Sequence, residues 1–325
     1  MMRRLAGVIA AAFAALLVAT GAQAQNYPTR TITIIVPYPA GGPTDTTARE
    51  IGNALSAKLK QTVVVENVTG GGTTIATNKV ARAAPDGYTL LLHNSQISVN
   101  VTLYKNLPFD TEKDLTPVML VNKNPLVLVG RAGLPANNLT ELLALMKKQT
   151  LKAAIPGYGA TGHLTTNLVA QQAKVSIDQI AYRGAAPAMN DLLGGHVDLF
   201  FGTPQSVVPH VAAGKLKAYG ITSKEKNPQL PTAESLVTVL GPKLDIVYWQ
   251  ALFAPAGTPQ PVIKTLNTAL QSVVADMALR KRWQTEGFEP FATNQLSPEA
   301  ARSFMHSEVG RWAEVIRDNN IKVEQ

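Results

Sequence analysis

The chain has no cysteine among its 325 residues. Disulfides, thiolate metal sites and cysteine nucleophiles are thereby excluded. No G-x-S-x-G elbow and no phosphate-binding P-loop occurs. The five histidines, His93, His163, His196, His210 and His306, show neither H-E-x-x-H nor H-x-H spacing. No metal site is expected from them. Charge is unbalanced, with 30 Lys+Arg against 22 Asp+Glu and a formal net charge of +8. Such a surplus raises nucleic acid, membrane surfaces or anionic ligands as partners. The surplus is scattered, however. Its densest run is Arg280-Lys281-Arg282, while Arg302, Arg311 and Arg317 are interleaved with acids. No basic stripe with stacking aromatics appears, so nucleic acid is not an expected partner.

Hydrophobic residues make up 46% of the chain, enough to bury a core in one or two domains. The long uncharged run lies at the start. Arg3-Arg4 precedes Leu5 to Thr20, and Ala22-Gln23-Ala24 supplies a small-x-small cleavage pattern. Residues 1–24 read as a secretory signal peptide, too short in its apolar part to span a bilayer. Cleavage would remove two of the basic residues. The absence of cysteine suits a chain that folds on its core alone in an oxidising compartment.

Short β-branched runs then alternate with helical stretches. Thr31 to Val36 reads as a strand, and Ala48, Ile51, Leu55 and Leu59 recur at helical spacing. Thr62 to Glu66 is the next strand, completing a βαβ unit. The alternation continues through strands at 88–92, 152–155, 179–182, 197–201 and 217–222. Asn227 to Pro242 reads as loop, and helices at Pro261 to Gln284 and from Ser297 finish the chain. Two extended apolar stretches, Val118 to Val129 and Ile246 to Phe253, bracket the middle. They predict crossover strands between two α/β lobes. Lobe 1 takes 25–123 plus 247–325, lobe 2 takes 124–246, and a ligand cleft lies between them.

Two loops share one design of strand, glycine-rich turn and helix start. They are Pro39-Ala40-Gly41-Gly42-Pro43-Thr44-Asp45 and Pro156-Gly157-Tyr158-Gly159-Ala160-Thr161-Gly162-His163. Glycine lets the backbone approach a ligand, and a helix start presents N–H groups and a positive dipole end. Both loops are built to hold an anion, one from each lobe. Gly157, Gly159 and Gly162 also spell G-x-G-x-x-G, the dinucleotide fingerprint. The acid expected after the next strand is replaced by Tyr182-Arg183-Gly184, where Arg183 would suit a 2′-phosphate. An NADP-binding reductase is therefore a rival reading, and ordinary glycine turns are the plain one.

With these loops identified, the mature chain resembles the tripartite tricarboxylate transporter receptors, the Bug-type periplasmic solute-binding proteins. The carrying segments are IIVPYPAGGPTDTTAR (34–49), VVVENVTGGG (63–72), APDGYTLLL (84–92), LYKNLPFD (103–110), YGATGHL (158–164), YRGAAPAMNDLLGGHVDLFFG (182–202), AAGKLKAYGITS (212–223) and LFAPAGTPQPVI (252–263). The resemblance implies a type II periplasmic-binding-protein fold, an α/β architecture of two lobes closing on an organic carboxylate. It implies no catalysis and no cofactor, and delivery to a permease of one large and one small subunit. It places the grip on the proximal carboxylate in the loops 39–45 and 158–163.

On that resemblance the expected ligand-binding residues are Tyr38, Ala40, Gly41, Gly42, Thr44 and Asp45 on one side. Gly159, Ala160, Thr161, Gly162, His163, Tyr182, Arg183, Gly184, Gly202 and Thr203 face them. Asp45 is expected to order its loop and to avoid the ligand, since like charges repel. His93-Asn94-Ser95-Gln96 departs from the family's small residues and puts donors at the distal end. The expected ligand is thus a dicarboxylate, aliphatic or aromatic, terephthalate among the latter. A monomer is expected, and an exported sensor for the same ligand class is the second rival.

Overall fold

The structure is a computed structural model describing residues 27–285, 287–318 and 321. The expected leader at 1–24 lies outside the described residues. Two six-stranded sheets organise the chain. The first contains β1 (Ile32–Val36), β2 (Val63–Asn67), β3 (Thr89–Asn94), β4 (Leu115–Pro125), β11 (Val247–Pro255) and β12 (Glu289–Pro290). The second contains β5 (Val127–Arg131), β6 (Leu151–Ile155), β7 (Ile177–Ala181), β8 (Leu199–Gly202), β9 (Leu216–Ile221) and β10 (Glu234–Ser235).

The two sheets repeat one plan. Their orders are β12-β4-β11-β3-β1-β2 and β10-β9-β5-β8-β6-β7. Strand β1 pairs in parallel with β2 and β3, as β6 does with β7 and β8. Each sheet then receives one antiparallel strand just after the chain crosses over: β11 between β3 and β4, and β5 between β8 and β9. The crossings fall at Leu126 and at Ile246, both buried. The carboxyl ends of the parallel strands carry the loops that face the other sheet, where open α/β sheets bind ligands.

Burial follows the sequence pattern. Helix Pro43–Leu59 turns Ala48, Ile51 and Leu55 onto the first sheet, and each buried Ile or Leu contributes roughly 1.5–3 kcal/mol. Helix Pro298–Asp318 is shared between cores. Ala301 and Met305 join the first sheet's cluster, while Trp312 and Ile316 pack with Leu126, Leu128 and Tyr248.

Some elements differ from expectation. The single helix expected over Pro261 to Gln284 breaks into Gln260–Val274 and Met277–Thr285, because Asp276 Oδ1 accepts the Leu279 N–H and starts a new turn. The stretch read as loop at 227–242 contains β10 and helix Leu236–Leu240, capped by Ser235. Asn122-Lys123-Asn124, expected to interrupt an apolar run, lies inside β4. Helix Gln96–Leu103 follows β3 directly, where the sequence carries no amphipathic period.

Candidate functional site

A partly open cavity lies between the sheets, with about 570 Å³ of empty space that includes its open mouth. Tyr38, Pro39 and Gly42 to Thr44 enter it after β1, and Asn94 and Gln96 enter at and beyond the end of β3. From the other side come Pro156 and Ala160 to Gly162 after β6, Ala185 after β7, and Gly202, Thr203 and Ser206 at and beyond the end of β8. Leu126 and Tyr248, next to the two crossings, line it as well.

No Asp, Glu, His, Lys or Arg is among the lining residues. The positive character comes from the backbone. Among the described residues, five helices start at the cavity wall; in Gln96–Leu103 the first N–H is taken by Asn94 Oδ1, and the other four are Pro43–Leu59, Thr161–Ala173, Ala185–Leu193 and Pro204–Ala212. None of the four has a side-chain cap on its first turn. Away from the cavity, Asn138, Ser235, Asp276 and Ser297 each accept an N–H of the helix they precede. Helices Thr74–Ala81 and Gln260–Val274 are uncapped too, the latter opening on Pro259-Gln260-Pro261. Uncapped starts leave N–H groups and the dipole's positive end available to a ligand.

Each glycine loop is held open by its own helix. Asp45 Oδ2 accepts the Gly41 N–H at 2.9 Å, and Gly41 has a left-handed φ of 84°. Arg49 reaches both Asp45 oxygens and Asn67 Nδ2 donates to Oδ1. Burial opposes ionisation there, yet Arg49, the Gly41 N–H and Asn67 hold the carboxyl below its ordinary value. In the other loop His163 Nδ1 accepts the Gly159 N–H at 3.1 Å, and Gly159 has φ 78°. Burial lowers the His163 pKa to about 4, so its ring is neutral.

Of the expected residues, Tyr38, Gly42, Thr44, Asn94, Ala160, Thr161, Gly162, Gly202 and Thr203 line the cavity. The others sit elsewhere. Ala40 and Gly41 are on the exposed outer turn. Asp45 and Gly159 support their loops from behind. His163 is not among the lining residues; its Nδ1 accepts from its own loop, which leaves the proton of the neutral ring on Nε2. Tyr182 donates to Asp191 Oδ2 at 2.6 Å, and Arg183 is exposed. Gly184 forms the lip, where an added Cβ would lie 2.8 Å from Pro39 Cδ in the opposite half.

The distal donors also differ from expectation. His93 is wholly buried, with ring nitrogens 2.9 Å from the Asn94 carbonyl and 3.0 Å from Thr73 Oγ1. Burial drives its pKa to about 3. The Ser95 hydroxyl meets that of Thr161 at 2.6 Å, across the two halves. Asn94 lines the cavity but is saturated: Oδ1 accepts Tyr38 OH and the Gln96 N–H, and Nδ2 donates to Thr44 Oγ1 and Tyr248 OH. Sequence reading did not single out Leu126, Phe200, Phe201, Ser206 or Tyr248. Phe200, Phe201 and Tyr248 lie within strands and Leu126 at a crossing, positions that read from sequence as core.

Residues 47–321 match the family described as the tripartite tricarboxylate transporter family receptor. The solved structure of the periplasmic binding protein BugD aligns at 36% identity and a TM-score of 0.88, covering 92% of this chain and 100% of that one. MatC from Rhodopseudomonas palustris, solved with bound malate, aligns at 32% identity and 0.85, covering 89% and 100%. An R. palustris protein solved with adipate aligns at 28% and 0.86, covering 91% and 99%.

Proposed function

This chain belongs to the tripartite tricarboxylate transporter receptor family and is a solute-binding receptor, not an enzyme; we propose that its ligand is a small dicarboxylate held in the closed cleft. The observation that carries this is the set of four uncapped helix starts around a cavity with no basic side chain. A helix N-terminus carries about half a positive charge. Four of them sum to roughly +2, the complement of a dianion. The similar proteins with malate and adipate support a ligand of this class and of varied length.

Tyr38, Leu126, Phe200 and Phe201 give the cavity an apolar middle. They suit a ligand whose two polar ends are separated by carbon, aliphatic or a ring as in terephthalate. Binding closes the lobe 25–123 plus 247–325 onto the lobe 124–246, turning at Leu126 and Ile246. The receptor is exported to the periplasm by cleavage after Ala24, acts as a monomer, and hands the ligand to the permease with its large and small subunits.

Calorimetry and thermal shift with a panel of succinate, malate, glutarate, adipate, citrate and terephthalate test the reading. A true ligand at a hundredfold excess over its Kd stabilises by about 2.7 kcal/mol. No shift with any of them rejects it.

A further inference from the structure

Ser95 stands at the N-cap of helix Gln96–Leu103, where a serine oxygen ordinarily accepts an N–H of the first turn. Here it caps nothing. Asn94 Oδ1 takes the Gln96 N–H instead, and the Ser95 hydroxyl meets the Thr161 hydroxyl of the other half at 2.6 Å. Ser95 is wholly buried and Thr161 nearly so, and the Ser95 N–H is fixed to the Trp249 carbonyl of β11 at 2.9 Å. The helix continues the contact. Gln96 Nε2 lies 3.2 Å from the Tyr158 carbonyl, and a Cβ on Gly159 would come within 2.6 Å of Leu103 Cδ2. The second glycine loop thus rests on this helix of the first half. Ser95 is not among the residues lining the cavity, whereas Thr161 is.

We propose that Ser95 is a positioning residue of this receptor: its hydroxyl, withdrawn from capping its own helix, is the buried tie to Thr161 that keeps the second glycine loop closed over the first. This rests on the receptor reading above, since it needs a cleft that closes on a ligand. A hydroxyl both donates and accepts, so the two satisfy each other when the halves meet. When the halves part, water replaces each partner at little cost. Removing one hydroxyl upsets that balance on one side only. The other is left buried and unpaired in the closed state, and hydrated in the open one. Loss of the Ser95 hydroxyl therefore raises the closed state alone and removes no contact to the cavity. Apparent affinity falls with the fraction of closed, competent molecules, for every ligand alike.

The absence of cysteine makes the test clean. Lys58→Cys and Gln171→Cys, at exposed helix positions of the two halves, carry spin labels whose separation reports closure. The ligands are succinate, malate, glutarate, adipate, citrate and terephthalate. From Ser95→Ala, each acid that binds the wild type is expected to dissociate at least fivefold faster in stopped-flow, with association changed less than twofold. A cycle of Ser95→Ala, Thr161→Val and the double variant is expected to show at least fivefold coupling in Kd. Weaker coupling, or a loss carried by association, overturns the tie while leaving the carboxylate reading intact. If no acid binds the wild type, that reading falls and the ligand-free label distances decide the tie alone. A short-distance population at least halved in Ser95→Ala sustains it, and any smaller change overturns it.

Discussion

Asp45 and His163 hold equivalent positions in the two halves of the molecule. Each is the third residue of its helix, and each turns back to accept the N–H of a left-handed glycine four residues earlier, Gly41 or Gly159. One is an ionised acid neutralised by Arg49; the other is a buried neutral imidazole. Neither adds charge to the cavity, so the loops are ordered without disturbing the field of the helix starts.

Asp45→Ala removes the acceptor of four hydrogen bonds. Arg49 is half exposed, so solvent screens part of the loss. A destabilisation of about 2 kcal/mol is expected in urea unfolding, together with weaker ligand binding as the first loop loosens. Unchanged affinity would show that the loop needs no such support.

Stability should fall on acidification through the histidines. The folded values of His163 and His93, about 4 and about 3, lie below the ordinary value. The unfolded chain therefore binds more protons than the folded one below about pH 6.5. Their contribution is complete above that pH and is lost as pH falls toward the folded values. His163 alone accounts for on the order of 3 kcal/mol by pH 4. Urea midpoints at pH 7 and pH 4.5 measure the slope, and His163→Asn should flatten it.

Gly184→Ala should hinder closure. Gly184 has φ 125°, a conformation that side chains resist, and its Cβ would strike Pro39. Affinity is expected to drop at least tenfold. Small-angle scattering with ligand should show a larger radius of gyration than the wild type. Pro39→Ala in the same chain should recover part of the loss; no recovery would locate the defect in the backbone alone.

Asn122 and Gln250 face each other across β4 and β11, wholly buried, and Asn122 Oδ1 and Gln250 Oε1 have no partner. Their amide nitrogens make only 3.5 Å contacts, to Thr47 Oγ1 and Tyr248 OH. Replacing both polar groups by apolar ones of similar shape is neutral or favourable in such a setting. The double variant Asn122→Leu, Gln250→Leu should match or exceed wild-type stability in urea. A loss of more than about 2 kcal/mol would mean that these amides are satisfied in solution.

The βαβ alternation, the two extended runs at 118–129 and 246–253 and both glycine loops were legible because each is local. Strand and helix periods, turn glycines and a helix start appear within a dozen residues. The class of fold and the loops that approach the cavity follow from them. How the distal donors are engaged was not legible because their partners are remote. His93 bonds Thr73 across 20 positions, Ser95 meets Thr161 across 66, and Asn94 meets Tyr248 across 154.

The sequence by itself determined the α/β class, the family resemblance and the pair of glycine loops that approach the cavity, since short-range propensity and backbone freedom are written in neighbouring residues. Only the tertiary structure decided which polar groups remain for a ligand. It spent His93, Ser95 and Asn94 on internal hydrogen bonds, turned Asp45 and His163 onto their own loops, and left Arg183 outside. A buried polar group must find its partner somewhere, and the fold alone determines whether that partner is the protein or the ligand.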